Sequence, residues 1–441
     1  MSPSAPSPSR ARPWPLVAAA AVCLFSFAAF WVAQRVAHVN MLDVMVYRAE
    51  AETLRAGGDL YAMRATSANL AMTYPPFAAV LFLPLTLVDV PLMRTLSTAG
   101  NLLLVVALVR LSLRLVRPAP ATPERRADLW RTTLWVAAVV VWCEPVWTTL
   151  RYGQINLLVA VAVLWDFTRR EGNRWAGLGI GLATAVKLTP GLFVVLLLAA
   201  GLLLWRRDRG MNQWLRTALT ATGAFLVTTL AMVVALPADS KTFWTRTLFE
   251  TGRVGHKEET ANQSLSGVLA RLMHTDEPGL WWLAAAVLLG GAAMALAVRA
   301  AVRGDRAVAV VVTAFAALMV SPISWSHHWV WCVPLLILLH DRATPSFGPV
   351  ARVVPPAWQA TGAVGLAFAS FALWWVPHDP GRPELDQNAG QMLLSAVYPL
   401  TATAVFAGYA LVVWRTRRTP RIPGPRRETV VAREPQAVAK E

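Results

Sequence analysis

With 441 residues, 56% of them hydrophobic and 15% charged, and a positive mean hydropathy, the chain is too apolar for a soluble domain. The net charge of +16 gives no case for a nucleic-acid partner, because Arg and Lys fall in short runs between apolar spans, where the positive-inside bias puts them. The numbers describe a polytopic membrane protein. Cys23, Cys143 and Cys332 lie inside apolar spans without paired spacing, so neither a disulfide framework nor a metal site is indicated.

In chain order, 1–13 reads as a disordered cytoplasmic tail, rich in Pro and Ser with Arg10 and Arg12. The span 15–33 is long enough to cross about 30 Å of hydrocarbon and reads as a retained anchor. The segment 34–74 is too charged to span and forms a first outer loop. Within it, 41–54 reads as a helix lying along the interface and stopped at Gly57-Gly58, with Asp43 and Tyr47 four apart on one face. A carboxylate placed about there, just beyond a spanning helix, meets both water and lipid headgroups, as a general base for a lipid-linked substrate must. The same position also suits an ordinary solvated Asp. Tyr74-Pro75-Pro76-Phe77 then fixes an extended return to the membrane.

Apolar text predicts further helices over 77–88, 96–115, 132–150, 156–167, 175–186, 190–204, 215–236, 280–298, 307–320, 328–339, 358–375 and 392–414. Basic connectors at Arg125-Arg126, Arg169-Arg170, Arg206-Arg207, Arg303 to Arg306 and Arg415 to Arg418 mark the inside, with 415–441 a disordered basic cytoplasmic tail. Counted back from that tail the connectors alternate, except between Thr73 and Arg117. There two helices are suggested where one net crossing is needed, so one of the two segments is re-entrant or lies flat.

This topology gathers four polar clusters on the side of Asp43. The first joins Glu144-Pro145 to Arg151-Tyr152-Gly153-Gln154-Ile155-Asn156, which also reads as a plain helix–helix turn. In the second, Lys187 of Val186-Lys187-Leu188-Thr189-Pro190 interrupts an apolar run; such a lysine is costly unless it snorkels to the interface or meets an anion, naturally a phosphate. The third is a large outer loop over 237–278, where Arg253 suits a phosphate or sugar hydroxyls and the amides of Asn262 and Gln263 suit a polyhydroxylated substrate, while His256 to Glu259 reads as a solvated face. The fourth is Ser321 to Trp329, with Trp325, His327 and His328; adjacent histidines point to different helix faces, so they do not chelate one metal together, and interfacial anchoring is their other reading.

In that order, Asp43-x-x-x-Tyr47, Tyr74-Pro75-Pro76-Phe77, Glu144-Pro145, Tyr152 to Asn156, Lys187-Leu188-Thr189-Pro190, Gly252-Arg253-Val254-Gly255, Asn262-Gln263-Ser264 and Ser321 to Trp331 resemble the actinobacterial polyprenyl-phosphate-mannose-dependent alpha-mannosyltransferases of the PimE type, which are GT-C glycosyltransferases. The resemblance implies an all-α polytopic GT-C fold with about 11–13 transmembrane or re-entrant helices over 14–414, in the cell membrane, with an extracytoplasmic active site. It implies mannose transfer with inversion from polyprenyl-phosphate-mannose to a lipid-linked or glycolipid acceptor of the phosphatidylinositol mannoside or lipomannan type, through an alpha-(1,2) bond.

The family's base falls on Asp43 and its histidine pair on His327 and His328. Lys187, Arg253 and His327 are then expected at the donor phosphate, and Tyr47, Tyr74, Glu144, Tyr152, Gln154, Asn156, Asn262, Gln263 and Trp325 around the substrates. One carboxylate suffices, because phosphate leaves without a general acid and cations steady its charge. No cofactor and no metal is expected, since the outer clusters contain no carboxylate pair suited to a divalent ion. A polysaccharide ligase or polymerase would share the donor and the outer cations; a flippase or transporter would carry internal repeats, which the sequence lacks.

Overall fold

The computed structural model describes residues 14–117, 120–343, 357–378 and 380–418, and these are almost entirely helical. The tail 1–13 lies outside the described residues, as does 419–441. The four described residues from Arg415 on, expected to begin the second tail, continue the last helix instead.

Helix α1 (Trp14–Val36) is long and apolar enough to cross a membrane and turns polar only at Gln34 and Arg35 in its last turn. Helix α2 (Leu42–Arg55) starts after Met41, held in the left-handed region at φ 54°, and buries Val44, Tyr47, Glu50 and Ala51 along one face. The return segment forms α3 (Pro76–Phe82), only seven residues long, followed by a 3₁₀ turn over Leu83–Thr86. At 1.5 Å per residue α3 is roughly 10 Å long, too short for the hydrocarbon core. Arg48 of α2 ties this turn down by donating to the carbonyls of Leu85 (2.8 Å) and Val88 (2.7 Å). The single net crossing between Thr73 and Arg117 is therefore α4 (Val90–Val116), which starts on an Asp89 cap accepting from the Leu92 N–H at 2.8 Å.

The helix expected over 132–150 is two helices. Helix α5 (Pro123–Val140) and α6 (Glu144–Tyr152) meet at 79°, because Pro145 in the first turn of α6 cannot donate back into α5. Then come α7 (Asn156–Phe167), α8 (Leu178–Val186), α9 (Gly191–Asp208) and α10 (Gln213–Ala235). Gly181 lets α8 lie directly on α10: a Cβ there would stand 2.4 Å from the carbonyl oxygen of Ala221. The large outer loop contributes α11 (Pro237–Thr245) and α12 (Leu265–Leu272), and α13 (Gly279–Val302) pairs with α14 (Arg306–Val320).

The stretch expected as a helix from His328 begins instead as a 3₁₀ segment, Ser326–Trp331, before α15 (Cys332–Ala343). Helix α16 (Ala357–Ala369) is broken at Phe371, whose φ is 56°, before a 3₁₀ turn over Ala372–Trp375, and α17 (Ala389–Ser395) is separate from α18 (Val397–Arg418).

Among the described residues five helices are long and apolar enough to cross a membrane, and a sixth span results if the bent α5–α6 pair is counted as one. The chain is a multi-pass membrane protein. Its bundle has two chemically different ends. At one, the termini of α4, α7, α14 and α15 are joined by Arg117–Asp341, Arg342–Asp305 and Arg306 to the Phe167 carbonyl. At the other end, the loop after α2 and helix α11 share a small apolar core of Leu60, Tyr61, Met72, Ala79 and Phe243, separate from the main core.

Candidate active site

A cavity of about 760 Å³ opens between α2, the α8–α9 junction, the large outer loop and the segment after α14. It brings together Asp43, Tyr47, Tyr74, Tyr152, Gln154, Lys187, Arg253, Trp325, His327 and His328 of the residues expected at the site. Glu144, Asn156, Asn262 and Gln263 do not line it.

Asp43 sits in the first turn of α2, exposed to the cavity and otherwise enclosed. Burial pushes its carboxyl up to about 6, while a hydrogen bond from Gln154 and the charge of Lys187 work in the other direction. Gln154 reaches it because α6 ends on Gly153 at φ 71°, where a Cβ would stand 2.9 Å from the Val44 side chain; the two backbones can touch only through glycine. One turn along α2 from Asp43, the hydroxyls of Tyr47 and Tyr74 lie 3.3 Å apart, and Tyr47 stacks on Phe82 with ring centres 4.2 Å apart.

Lys187 leaves the end of α8 in extended conformation, and its ammonium is aimed by two partners: the Asn156 side-chain oxygen at 3.0 Å and His328 Nε2 at 3.1 Å. With the ammonium donating, Nε2 of His328 accepts and its ring proton lies on Nδ1. An ammonium has three N–H donors, so one remains for an anion in the cavity. The Tyr74 ring centre is 5.5 Å from Nζ. His327 packs edge-on to Tyr152 and His328, and its Nε2 is buried with no hydrogen-bond partner among the described residues.

Several expected substrate ligands are instead structural. Glu144 is 0% exposed, and its carboxylate accepts from Thr148 (2.8 Å), Ser326 (2.8 Å), Trp374 (3.0 Å) and Tyr398 (2.6 Å), which leaves nothing for a sugar. Asn156 divides its amide between Lys187 and the His327 carbonyl, which also accepts from Thr149 at 2.6 Å. Asn262 and Gln263 are fully buried. The Asn262 oxygen accepts from the Ser324 N–H at 2.9 Å, and the Gln263 amide donates to the carbonyls of Thr260 and Ser395. Residues 261–263 also pair, antiparallel, with 324–326 through Gln263 N to Ser324 O and Ser326 N to Ala261 O, each 2.8 Å. Buried amides in a turn are recruited by the backbone because it offers better fixed partners than a transient substrate.

Arg253 lines the cavity, but its Nη2 donates to the Tyr61 carbonyl at 2.6 Å and its Nη1 stands 3.6 Å from Glu250. It fastens the large outer loop onto the first one, and only Nε is without a partner among the described residues. The run His256 to Glu259 is not simply a solvated face. Glu258 is buried and ion-paired with Arg382, and Glu259 lines the cavity and accepts from the His256 N–H. Sequence reasoning also missed Glu50, which lines the cavity on the face of α2 that carries Asp43 and Tyr47. The spacing 43, 47, 50 is the i, i+4, i+7 pattern of one helix stripe and was the available signal.

Residues 72–322 match glycosyltransferase family 87. The chain is 33% identical over 355 residues to the polyprenol-phosphate-mannose-dependent alpha-(1-2)-phosphatidylinositol mannoside mannosyltransferase of Mycobacterium tuberculosis, covering 76% of this chain and 79% of that protein. It is 35% identical over 355 residues to the alpha-(1-2)-phosphatidylinositol pentamannoside mannosyltransferase of the same species, covering 78% and 76%. Among solved structures, ArnT from Cupriavidus metallidurans in the apo state is matched over 88% of this chain and 76% of that chain at 14% identity, with a TM-score of 0.41.

The carboxylate of Glu144 gives a direct test of its structural role. Tyr398→Phe removes one of its four donors without changing shape, and is expected to lower stability by about 1–3 kcal/mol. Thermal unfolding of the purified protein in mild detergent measures this. An unchanged unfolding temperature would show that the buried carboxylate does not hold α18 to the bundle.

Proposed function

The chain belongs to glycosyltransferase family 87, and from that membership we propose that it is an inverting mannosyltransferase moving mannose from polyprenyl-phosphate-mannose to a mannosylated glycolipid through an alpha-(1,2) bond. The named relatives support the donor and the class of acceptor, and the order of motifs supports a GT-C architecture. The observation that carries the reading is a base and a cation in one cavity: Asp43, held by Gln154, and Lys187, aimed by Asn156 and His328.

In this mechanism the acceptor hydroxyl attacks the anomeric carbon of the donor as the bond from that carbon to the phosphate oxygen breaks. Asp43 takes the hydroxyl proton and the lipid phosphate leaves as an anion. Lys187, through its third N–H, and His327, through Nε2, stabilise the charge that grows on the phosphate. Tyr74 and Tyr47 line the cavity beside Asp43 and Lys187, and Arg253 fastens the large outer loop to the first one. We place this cavity on the extracytoplasmic side, because the opposite end of the bundle collects Arg114, Arg117, Arg169, Arg306 and Arg342.

Asp43→Asn removes the proton acceptor in a nearly isosteric side chain, so transfer is expected to fall about 10²–10⁴-fold with membrane insertion unchanged. In the parent enzyme the base must be ionised, so kcat/KM should decline as pH falls through about 6, by about tenfold for each unit below that value. Rates of mannose transfer in membranes from pH 4.5 to 8.5 test both. A variant with near-normal turnover, or a profile flat through that range, removes Asp43 from the role of base.

Lys187→Ala should raise the donor requirement, lowering donor-dependent kcat/KM by about ten- to a hundredfold, because a charge-assisted bond to phosphate contributes about 1.5–3 kcal/mol. Titration of polyprenyl-phosphate-mannose at saturating acceptor reads it out. A loss that appears only against acceptor would place the lysine on the other substrate. For sidedness, single cysteines introduced as Lys241→Cys and Arg207→Cys in a cysteine-free background are labelled with an impermeant maleimide on intact cells. The first should react and the second should react only after permeabilisation; the reverse pattern would put the cavity inside.

A further inference from the structure

Of the described residues after His328, Trp374 alone lines the cavity, and it lies outside the 72–322 stretch that matches the family. It belongs to the 3₁₀ turn Ala372–Trp375, which neighbouring contacts hold in place. Phe371 packs edge-on against Trp147 with ring centres 6.4 Å apart, and Ala372 and Leu373 are buried. The Trp374 indole then donates to Glu144 Oε1 at 3.0 Å and lies edge-on to His378, with ring centres 5.2 Å apart. Anchored at its turn, its N–H and its edge, the half-buried ring is held in one orientation.

That orientation decides what the cavity meets. Indole has a single polar atom, Nε1, and here it is turned to Glu144, so Trp374 presents only carbon. The same Glu144 oxygen accepts from Ser326 Oγ at 2.8 Å, so this carbon surface stands two hydrogen bonds from the segment that carries His327. Ser326 and His327 line the cavity as well. A fixed aromatic face beside hydroxyl and imidazole groups suits a ligand with an apolar face and a polar rim. A pyranose ring has that form: its axial C–H bonds meet the electron-rich face of an aromatic ring while its equatorial hydroxyls reach the polar groups around it. A polyprenyl tail needs a wall that is apolar throughout, which this part of the cavity does not offer.

Resting on the mannosyltransferase reading above, we propose that Trp374 is a sugar-binding residue that packs on the C–H face of a mannose ring, either the one transferred or the one that receives it. Hydroxyl-radical footprinting of the full-length enzyme in detergent, read residue by residue by mass spectrometry, tests this without turnover. The ligands, each supplied alone, are polyprenyl-phosphate-mannose, polyprenyl phosphate and a lipid-anchored α-mannoside. Oxidation of Trp374 should fall with a mannose-bearing ligand and stay unchanged with polyprenyl phosphate. Trp375, 67% exposed and outside the cavity wall, is the internal reference. Protection by polyprenyl-phosphate-mannose assigns the transferred sugar, and protection by the mannoside assigns the acceptor's. Equal protection by polyprenyl phosphate, or none by any ligand, overturns the proposal.

Kinetics separate binding from support of the fold. Trp374→Leu should lower kcat/KM about tenfold for the substrate whose sugar is protected, and Trp374→Phe, which keeps a ring without the N–H, should retain most of it. Equal losses in the two variants, together with a lower unfolding temperature, would leave Trp374 as a donor to Glu144 alone and overturn the proposal. Protection by the mannoside in an enzyme that transfers no mannose would uphold the sugar site and count instead against the mannosyltransferase reading.

Discussion

The backbone between Ser321 and Trp331 runs through the bundle without a regular α-helical ladder, and the rest of the site depends on how its polar groups are satisfied. Irregular backbone is tolerated at membrane depth only where protein groups or a wet cavity meet it. Here Asn262 takes the Ser324 N–H, Thr149 and Asn156 donate to the His327 carbonyl, Glu144 takes the Ser326 hydroxyl, and 261–263 supplies a short antiparallel ladder. These partners come from three elements, so the segment is fixed only when α6, α7 and the large outer loop are all in place. Its fixed position in turn points His328 at Lys187.

The cavity has a second dependency, on the close contact of α6 with α2. Gly153 lets the end of α6 lie against Val44, and from there Gln154 reaches Asp43. Asp43 is thus steadied from one side by an amide and biased toward ionisation by an ammonium, while burial holds its carboxyl nearer to neutral pH than a solvated aspartate. That compromise suits a base which has to be ionised before reaction and then hold a proton. Arg48 contributes from behind, by pinning the turn after α3 so that α2 stays on the surface of the bundle.

Much was legible in the residues themselves. Apolar length and basic connectors made the chain a polytopic helical protein, the Gly57-Gly58 stop and 3.6-residue stripe defined α2, and the lysine that interrupts an apolar run proves to line the cavity. These features are local, and local sequence states them. The order of short motifs likewise pointed to the family whose model residues 72–322 match.

Other matters were settled by tertiary structure alone. Glu144, Asn262 and Gln263 have the same side-chain chemistry whether they meet a sugar or a buried backbone, and only the packing of distant elements shows that their hydrogen bonds are spent. Arg253 carries a charge that suits phosphate, yet the carbonyl of Tyr61, 192 positions away, takes its Nη2. The parity between Thr73 and Arg117 turned on the seven-residue length of α3, fixed by the 3₁₀ turn that Arg48 holds from another helix. Glu50 lay one turn beyond Tyr47 in plain sight, but a carboxylate in an amphipathic helix reads as solvated until the loops that cover it are folded. Composition and spacing determine which elements form and which residue types they carry. Long-range contacts decide which polar groups keep a free hand for a ligand.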